Sequence, residues 1–327
     1  MVGDGPNVLL LLALPEPVRR RYADWLERAF PQLRIDLVEH HSKVDPYIDD
    51  AEVLITFGAH MSDHVLERGH RLRWIQAVGT GVDGIVDRPA LRDEVIVTNL
   101  RGLHGPAVSE AVLASMLALS RGLRRALAQQ SEHRWERFPA TLLSGRTVGI
   151  LGVGAIASAL APRCAALGMT VIGVSSAPRA QASFERVVGR EQLASVAGEV
   201  DFLVLLTPYT PETHRIVDAR VLGAMRPSAY LINVARGGVV DEQALIEVLV
   251  QRRIAGAALD VFETEPLASD SPLWTLDNVL ITPHTAGFHV DYPDEALPII
   301  EENLRLFMAG RVADLTGLVA PGAGCAT

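Results

Sequence analysis

The chain has 327 residues, of which 49% are hydrophobic and 21% charged, a balance typical of a globular protein and not of a disordered or disulfide-rich one. This length favours two domains. The formal net charge of -9 argues against a nucleic-acid partner, because phosphate binding requires a basic face. Only two cysteines occur, Cys164 and Cys325, which is typical of a cytoplasmic protein without a disulfide framework.

Short apolar runs alternate with helix-like stretches through the first hundred residues, which predicts a parallel α/β sheet. The run at residues 8–14 lacks a basic segment before it and is followed by Pro15 and Pro17. We therefore expect a buried strand there and not a signal peptide. No run reaches the length of a membrane helix. Strands are predicted at residues 7–14, 35–39, 53–57, 72–78 and 95–99, with a helix at residues 18–30.

A long helix-like segment at residues 106–127 precedes a second set of strands. Its apolar positions recur at helical spacing, which predicts either a two-fold interface or a face buried in the core. Strands are predicted after it at residues 147–151, 170–174, 202–206, 229–235, 256–260 and 279–282. Two doubly wound parallel-sheet units are therefore expected to follow each other.

The last helix-like stretch, residues 295–308, has no predicted strand near it in the sequence. We expect it to pack back on the first unit, which makes that unit discontinuous. The predicted substrate domain comprises residues 1–99 and 288–327, and the predicted dinucleotide-binding domain comprises residues 100–287. The Gly-, Ala- and Pro-rich tail is expected to be disordered.

A glycine-rich loop follows the predicted strand at residues 147–151 and leads into a helix-like segment. It has the form G-x-G-x-x-A, with Gly152, Gly154 and Ala157 at the three positions. Gly152 permits a tight turn, Gly154 lets the backbone approach a pyrophosphate, and Ala157 lets helix and strand pack closely. The first amides of the helix then favour the phosphates. The loop predicts a dinucleotide site.

The end of the next strand indicates which dinucleotide binds. Sites for NAD usually place an acid there, about 20 residues after the glycines, to bind the ribose 2′-hydroxyl. This chain has Ser175, Ser176 and Arg179 instead, and the first acid is Glu185. Hydroxyls and an arginine suit a 2′-phosphate, because the dianion needs donors and positive charge. We predict a preference for NADP(H), with use of both cofactors as the alternative if Arg179 points to solvent.

Three later segments each place a reactive side chain just after a predicted strand, where open α/β sheets gather their ligands. Arg236 offers a planar guanidinium that can grip the carboxylate of a 2-oxo acid. His284 can donate a proton to the developing alkoxide, and Glu265 can bond the other imidazole nitrogen and fix its orientation. Together they predict an oxidoreductase that moves hydride to or from a small 2-oxo or 2-hydroxy acid.

Long segments of the chain resemble the D-isomer-specific 2-hydroxyacid dehydrogenase family, and in particular its glyoxylate and hydroxypyruvate reductases. They are residues 147–161, 233–242 (NVARGGVVDE), 259–267 (LDVFETEPL) and 282–287 (TPHTAG). The resemblance runs from about Val53 to Met308. It implies an α/β fold in which a Rossmann NAD(P)-binding domain is inserted in a discontinuous, flavodoxin-like substrate domain.

The resemblance also implies roles for single residues. It assigns catalysis to Arg236, Glu265 and His284, and Glu265 disfavours formate oxidation, because formate-oxidising relatives carry glutamine there. Residues 77–84 (AVGTGVDG) resemble the family's substrate loop, whose amides at Thr80 and Gly81 would receive the carboxylate beside Arg236 and His284. The residues assigned to the cofactor are Gly152, Gly154, Ala155, Ile156, Ser175, Ser176, Arg179, Thr207, Val234, Ala235, Arg236, Asp260, His284 and Gly287. No metal site is expected.

Some assignments stay open. His104 and His289 rival His284 as proton donor, and Arg101 faces either the distal end of the substrate or water. The expected reaction converts glyoxylate, hydroxypyruvate or a bulkier 2-oxo acid to the R-2-hydroxy acid, in a cytoplasmic homodimer without nucleic-acid or membrane partners. A short phosphoglycerate dehydrogenase and a non-catalytic, corepressor-like dinucleotide-sensing scaffold are the alternatives; the intact catalytic set argues against the scaffold.

Overall fold

The computed structural model describes residues 5–58 and 61–319. The described chain divides into two compact units, one formed by the residues up to Leu103 and from Val290 onward, the other by His104 to His289. These bounds lie four and two residues beyond the predicted domain limits at residues 99 and 287. The C-terminal tail, including Cys325, lies outside the described residues.

The first unit is built on a five-stranded parallel sheet with the order β2-β1-β3-β4-β5. Its strands are β1 (Val8–Leu11), β2 (Ile35–Val38), β3 (Val53–Thr56), β4 (Trp74–Ala77) and β5 (Ile96–Thr98). Strands β1, β3 and β4 are buried along their whole length, because both faces of the sheet are covered. The strand order is that of flavodoxin-like sheets, as predicted.

The α-helices among the described residues of this unit are α1 (Glu16–Ala29), α2 (Asp45–Ile48), α3 (Asp63–Arg68) and α10 (Tyr292–Met308). Helix α10 packs beside α1 in one apolar core with β1, β3 and β4. A buried side-chain network extends from α10 to the sheet, since Asn303 donates to Gln76 at 2.9 Å and Thr98 donates to the same oxygen at 2.9 Å. The predicted return of the C-terminal helix to the first unit is confirmed.

The second unit carries a seven-stranded parallel sheet with the order β12-β11-β10-β9-β6-β7-β8. Its strands are β6 (Thr147–Leu151), β7 (Thr170–Ser175), β8 (Arg186–Gly189), β9 (Phe202–Leu205), β10 (Tyr230–Asn233), β11 (Gly256–Leu259) and β12 (Val279–Ile281). The order reverses between β6 and β9, and ligands of doubly wound sheets bind outside the carboxyl ends of the strands at such a point. The fold is therefore the predicted Rossmann arrangement.

The helices of the second unit cover both faces of this sheet with two apolar clusters. They are α4 (Gly105–Ser120), α5 (Leu123–Ser131), α6 (Ala155–Ala166), α7 (Leu193–Glu199), α8 (Ala219–Ala224) and α9 (Glu242–Val250). Cys164 lies in the buried face of α6, and burial raises the pKa of its thiol to about 12. Among the described residues, no helix is long and apolar enough to span a bilayer.

The structure of this unit differs from the prediction at two points. The segment at residues 106–127 is two helices and not one, because Gly122 adopts a left-handed conformation with φ of 63° between α4 and α5. A Cβ atom added there would lie 2.7 Å from the ring of Phe138, so glycine is required at the break. Strand β8 was not predicted; it is a short edge strand with one exposed residue at its start.

Candidate active site

The glycine-rich loop joins β6 to α6 at the point where the strand order reverses. Gly152 has a φ of 99°, and a Cβ atom added to it would lie 2.5 Å from the backbone nitrogen of Thr207. Gly154 caps α6 in an extended conformation, and an added Cβ would meet nothing within 4 Å. Ala157 is buried against the sheet. The loop thus combines a forced tight turn with open space before the helix amides of Ala155 and Ile156.

Strand β7 ends at Ser175, beside this loop. The Ser175 hydroxyl accepts a hydrogen bond from the Ala177 amide at 3.2 Å, while Ser176 and Arg179 are exposed. Gln181 donates to Ser158 of α6 at 2.5 Å, which ties the segment to the helix that begins at the glycines. Within residues 5–58 and 61–319, no carboxylate pairs with Arg179.

Arg236 lies just after β10, and the side chain of Asn233 fixes the backbone around it. Asn233 donates from its side chain to the Arg236 carbonyl at 3.1 Å and accepts from the Ala235 amide at 3.1 Å. The following residue, Gly237, presses on the chain after β11: a Cβ atom added there would lie 1.9 Å from the carbonyl carbon of Phe262. Only glycine permits this approach, which fixes the Arg236 segment against the segment that carries Glu265.

Glu265 and His284 form a hydrogen-bonded pair. The imidazole Nδ1 lies 2.7 Å from Glu265 Oε2, and Glu265 Oε1 accepts a hydrogen bond from the Phe262 amide at 3.0 Å. Burial by itself would raise the pKa of Glu265, but the bonds from His284 and Phe262 and the charge of Arg236 hold that pKa below its usual value. Glu265 is therefore ionised, and the His284 side chain is 42% exposed, with Nε2 outside this hydrogen bond.

Asp260 holds the segment that carries His284. Its carboxylate accepts hydrogen bonds from the Thr282 hydroxyl at 2.5 Å and from the amides of Thr285 and Ala286 at 2.9 Å each. The His284 amide donates to the Asp260 carbonyl at 2.8 Å. These bonds maintain the uncommon positive φ of His284, 52°, in which non-glycine residues persist only when the surroundings fix them.

His104 lies at the start of α4, in contact with the His284 segment. A Cβ atom added to Gly287 would lie 2.6 Å from the His104 ring, so the glycine makes room for the imidazole. Burial, together with the positive charges of Arg236 and His289, lowers the pKa of His104 to about 4. His104 is therefore neutral near pH 7.

The predicted substrate loop belongs to the first unit. It follows β4, and Asn99 donates to the Thr80 carbonyl at 2.8 Å while the Leu100 amide donates to the Gly79 carbonyl at 3.0 Å. A Cβ atom added at Gly79 would lie 4.0 Å from the Gly81 nitrogen, an ordinary van der Waals contact. Arg101, the next residue but one after Asn99, is exposed.

Most of the predicted site residues lie together at the carboxyl ends of the second sheet. Thr207 follows β9 and is buried, and Val234 and Ala235 connect β10 to Arg236. The sequence did not reveal the contact of Gly237 with Phe262, nor that of His104 with Gly287, because both pair residues that are far apart in the chain. Among the described residues, no group of three or more His, Cys, Asp or Glu side chains is arranged to hold a metal.

Comparison with known proteins places these features in one family. The profile described as "D-isomer specific 2-hydroxyacid dehydrogenase, NAD binding domain" matches residues 113–286. The D-3-phosphoglycerate dehydrogenase of Methanocaldococcus jannaschii is 34% identical over 271 residues, which cover 82% of this chain but 52% of the relative. The chain spans about half the length of this and several other curated relatives that it matches.

Two further relatives match over nearly their whole length. The glyoxylate reductase of Pyrococcus furiosus is 31% identical over 312 residues, 88% of this chain and 93% of the relative. The structure of a D-isomer specific 2-hydroxyacid dehydrogenase from Xanthobacter autotrophicus Py2, in complex with NADPH and MES, is 31% identical with a TM-score of 0.81 over 98% of this chain and 100% of that chain. Together with the profile match, these similarities show that the chain belongs to the D-isomer specific 2-hydroxyacid dehydrogenase family.

Proposed function

We propose that this protein is an NAD(P)H-dependent 2-oxo acid reductase, which converts glyoxylate, hydroxypyruvate or a bulkier 2-oxo acid to the R-2-hydroxy acid. The observation that carries the proposal is the Glu265–His284 pair with its 2.7 Å contact, held in one backbone frame with Arg236 by the approach of Gly237 to Phe262. Alcohol oxidation is the same chemistry in reverse.

Each residue of this set has a defined task. Arg236 binds the substrate carboxylate and the carbonyl oxygen through its planar fork. His284 donates the proton from Nε2 as negative charge develops on the carbonyl oxygen, and ionised Glu265 stabilises the imidazolium before transfer. His104 is a poor rival as donor, because its lowered pKa of about 4 leaves it as neutral imidazole near pH 7, which is a far weaker acid than imidazolium.

The geometry of the glycine loop supports a bound dinucleotide. The open space at Gly154 and the amides that begin α6 fit a pyrophosphate, which needs close backbone approach and donors. Hydride transfer to the carbonyl carbon is the chemistry that this cofactor supplies when bound. Asp260, by fixing the segment 282–286, orients His284 towards that reaction and is also proposed to border the nicotinamide amide.

We propose a preference for NADP(H) over NAD(H). The hydroxyls of Ser175 and Ser176 offer donors for a 2′-phosphate, and the exposed Arg179 would supply positive charge by contacting it. Use of both cofactors is the alternative if the Arg179 side chain stays in solvent. No acid occupies the position that would bind a 2′-hydroxyl and repel that phosphate. The NADPH complex of the Xanthobacter relative supports the same choice.

A second candidate is the oxidation of 3-phosphoglycerate. The identity of 34% to a D-3-phosphoglycerate dehydrogenase favours it. That relative, however, is about twice as long as the matched part of this chain. The two functions differ in whether a phosphate at the distal end of the substrate is bound, and Arg101, an exposed cation that follows β5, is the side chain whose contact with the distal end of the substrate the sequence left open.

We propose that the protein acts as a cytoplasmic homodimer. Large apolar side chains are exposed along α4, α5 and the segment after them: Leu117, Leu123, Leu127, Trp135 and Leu142. A row of this kind is more typical of an interface than of a free surface. Two-fold pairing would cover it with a second copy.

The test follows absorbance of the reduced nicotinamide with NADPH and then NADH, against glyoxylate, hydroxypyruvate, pyruvate and phenylpyruvate. The variant His284→Ala is compared with His70→Ala, which removes an exposed histidine of the first unit. We expect oxidation of NADPH that is lost in the first variant and kept in the second. Oxidation of 3-phosphoglycerate alone would select the second candidate. If no acid is turned over, the reductase proposal fails and a cofactor-sensing scaffold takes its place.

A further inference from the structure

Three consecutive carbonyl groups of the substrate loop each accept a hydrogen bond. The Val78 carbonyl accepts from the hydroxyl of Tyr292 at 2.7 Å. The Gly79 carbonyl accepts from the Leu100 amide at 3.0 Å, and the Thr80 carbonyl accepts from the Asn99 side chain at 2.8 Å. Every peptide plane from Val78 to Gly81 is thus fixed by one donor.

Fixing these carbonyls also fixes the amides that follow them. In a trans peptide the C=O of one residue and the N–H of the next lie in one plane and point in opposite directions. The Leu100 and Asn99 bonds therefore orient the amides of Thr80 and Gly81. The Tyr292 bond does the same for the amide of Gly79, which has no acceptor among the described residues.

The surroundings of Tyr292 stabilise its hydrogen bond to the Val78 carbonyl. It begins α10, is 2% exposed, and lies in the apolar core of the first unit with Tyr22 and Leu297. Burial raises the pKa of its hydroxyl above the usual value, so the group stays a donor at any working pH. A buried hydroxyl without its acceptor would be costly, which makes the contact with Val78 persistent.

We infer that Tyr292 is a positioning residue for the substrate loop, and that it orients the Gly79 amide as a third backbone donor, beside those of Thr80 and Gly81, for the carboxylate of the substrate. The inference rests on the proposed function of this loop. It adds a residue from the C-terminal helix, 214 positions away from Val78, to the parts of the chain that set carboxylate affinity.

The test compares Tyr292→Phe with Tyr22→Phe, which removes a hydroxyl from an equally buried tyrosine of the same core. For both variants we would measure kcat and KM for glyoxylate, the Kd of NADPH, the melting temperature, and the Kd of oxamate by calorimetry on the complex with NADPH. Oxamate is an unreactive 2-oxo acid isostere, so its binding reports on the carboxylate without turnover.

We expect Tyr292→Phe to raise both the KM for glyoxylate and the Kd of oxamate by about fivefold, the usual worth of one hydrogen bond. The kcat and the Kd of NADPH should stay within about twofold. Equal KM and oxamate values in the two variants, whatever their melting temperatures, would overturn the inference. If the unmodified protein turns over no 2-oxo acid, the proposed function is wrong, but the oxamate measurement still tests the inference about Tyr292. If oxamate does not bind to the unmodified protein, the inference is wrong as well.

Discussion

His284 and Glu265 are 19 positions apart in the chain, yet Nδ1 of the imidazole lies 2.7 Å from a carboxylate oxygen. The second oxygen of Glu265 is engaged by the Phe262 amide. The acid is therefore anchored to its own backbone and cannot turn away from the imidazole. Nε2, the ring nitrogen outside this bond, is the atom that we propose donates the proton.

We predict that Glu265→Gln lowers kcat for 2-oxo acid reduction by about 100-fold, because the neutral amide no longer stabilises the imidazolium that gives up its proton. The control is Glu263→Gln, the same change two residues away in an acid that pairs with Arg215. Steady-state kinetics of both variants with NADPH measure the effect. Equal kcat values in the two would contradict the assignment.

The lowered pKa of Glu265 also predicts the acid stability of the protein. Because the folded-state pKa lies below 4.5, the usual value of a glutamate, the ionised carboxylate stabilises the folded state above about pH 4.5. That contribution is lost as the pH falls through the folded-state value. Melting temperatures from pH 7 to pH 3 should therefore fall more steeply for the unmodified protein than for Glu265→Gln. Parallel curves would refute this.

The lowered pKa of His104 predicts a second pH dependence of the folding stability. Its pKa is about 4 in the folded protein against 6.5 for the ordinary imidazole, so between these values the unfolded chain binds a proton that the folded chain does not. Stability from neutral His104 is complete above about pH 6.5 and is lost as the pH falls towards 4. The loss is on the order of 3 kcal/mol when the pH has fallen to about 4.

The experiment compares melting temperatures of the unmodified protein and His104→Gln at pH 7.5 and pH 5. The difference between the two melting temperatures should be smaller by a few degrees at pH 5 than at pH 7.5. This is roughly the shift in melting temperature that a loss of 1 to 2 kcal/mol of stability causes in units of this size. His70→Gln, at an exposed histidine, should show no such change. A difference that does not depend on pH would show that His104 is charged in the folded protein.

Substitutions at the two glycines of the dinucleotide loop are predicted to have different effects, one on stability and the other on NADPH binding. Gly152→Ala places a Cβ atom 2.5 Å from the Thr207 nitrogen at a φ of 99°, so the melting temperature should fall by several degrees. Gly154→Ala meets nothing within 4 Å and should leave that temperature unchanged. Its Kd for NADPH should nevertheless rise by about tenfold or more, because the methyl group takes the place of the pyrophosphate. Equal changes of the melting temperature and of the Kd for NADPH in the two variants would contradict this prediction.

The cofactor preference depends on Arg179. Arg179→Ala should raise the KM for NADPH by about tenfold, because a charge-assisted contact to the 2′-phosphate is lost, and should leave the KM for NADH unchanged. Arg186→Ala, at an exposed arginine that pairs with Glu185 and Glu199, is the control. A native preference for NADH by about twentyfold would remove the basis of the proposal.

The homodimer depends on the exposed leucines of α5. Leu123 and Leu127 are 48% and 55% exposed and lie one helical turn apart, so Leu123→Lys with Leu127→Lys places two charges in the proposed interface. Light scattering should give the mass of two chains for the unmodified protein and of one for the double variant. The pair Val250→Lys and Met308→Lys, at exposed apolar residues elsewhere, should remain dimeric. A single-chain mass for the unmodified protein would reject the proposal.

Much of the fold could be predicted because buried parallel strands are short continuous apolar runs. Strand β6 was predicted with both ends correct, and the order of the elements identified both sheets. The break between α4 and α5 could not be found, since the apolar spacing continues through Gly122 and only its left-handed backbone separates the helices. Strand β8 was missed because an edge strand of four residues has little apolar pattern.

The candidate site could be predicted to the level of residue type but not of bonding. Arg236, Glu265 and His284 each follow a strand in a recognisable motif. The bond between Tyr292 and Val78 leaves no trace in the sequence, because it joins a helix start to a strand end 214 positions earlier. Asp260 was assigned to the cofactor by resemblance, and nothing in its motif revealed that its carboxylate bonds to three groups of the 282–286 segment.

The position of α10 in the chain has a consequence for synthesis on the ribosome. The helix covers α1 and β4 with Leu297, Ile300 and Leu304, but it is translated only after the whole second unit. Until then the nascent first unit presents the uncovered faces around Leu26 and Trp74 to solvent, and such exposed apolar surface attracts chaperones and promotes aggregation. Expression of this protein should therefore be more sensitive to chaperone supply, and to truncation before residue 290, than its size alone implies.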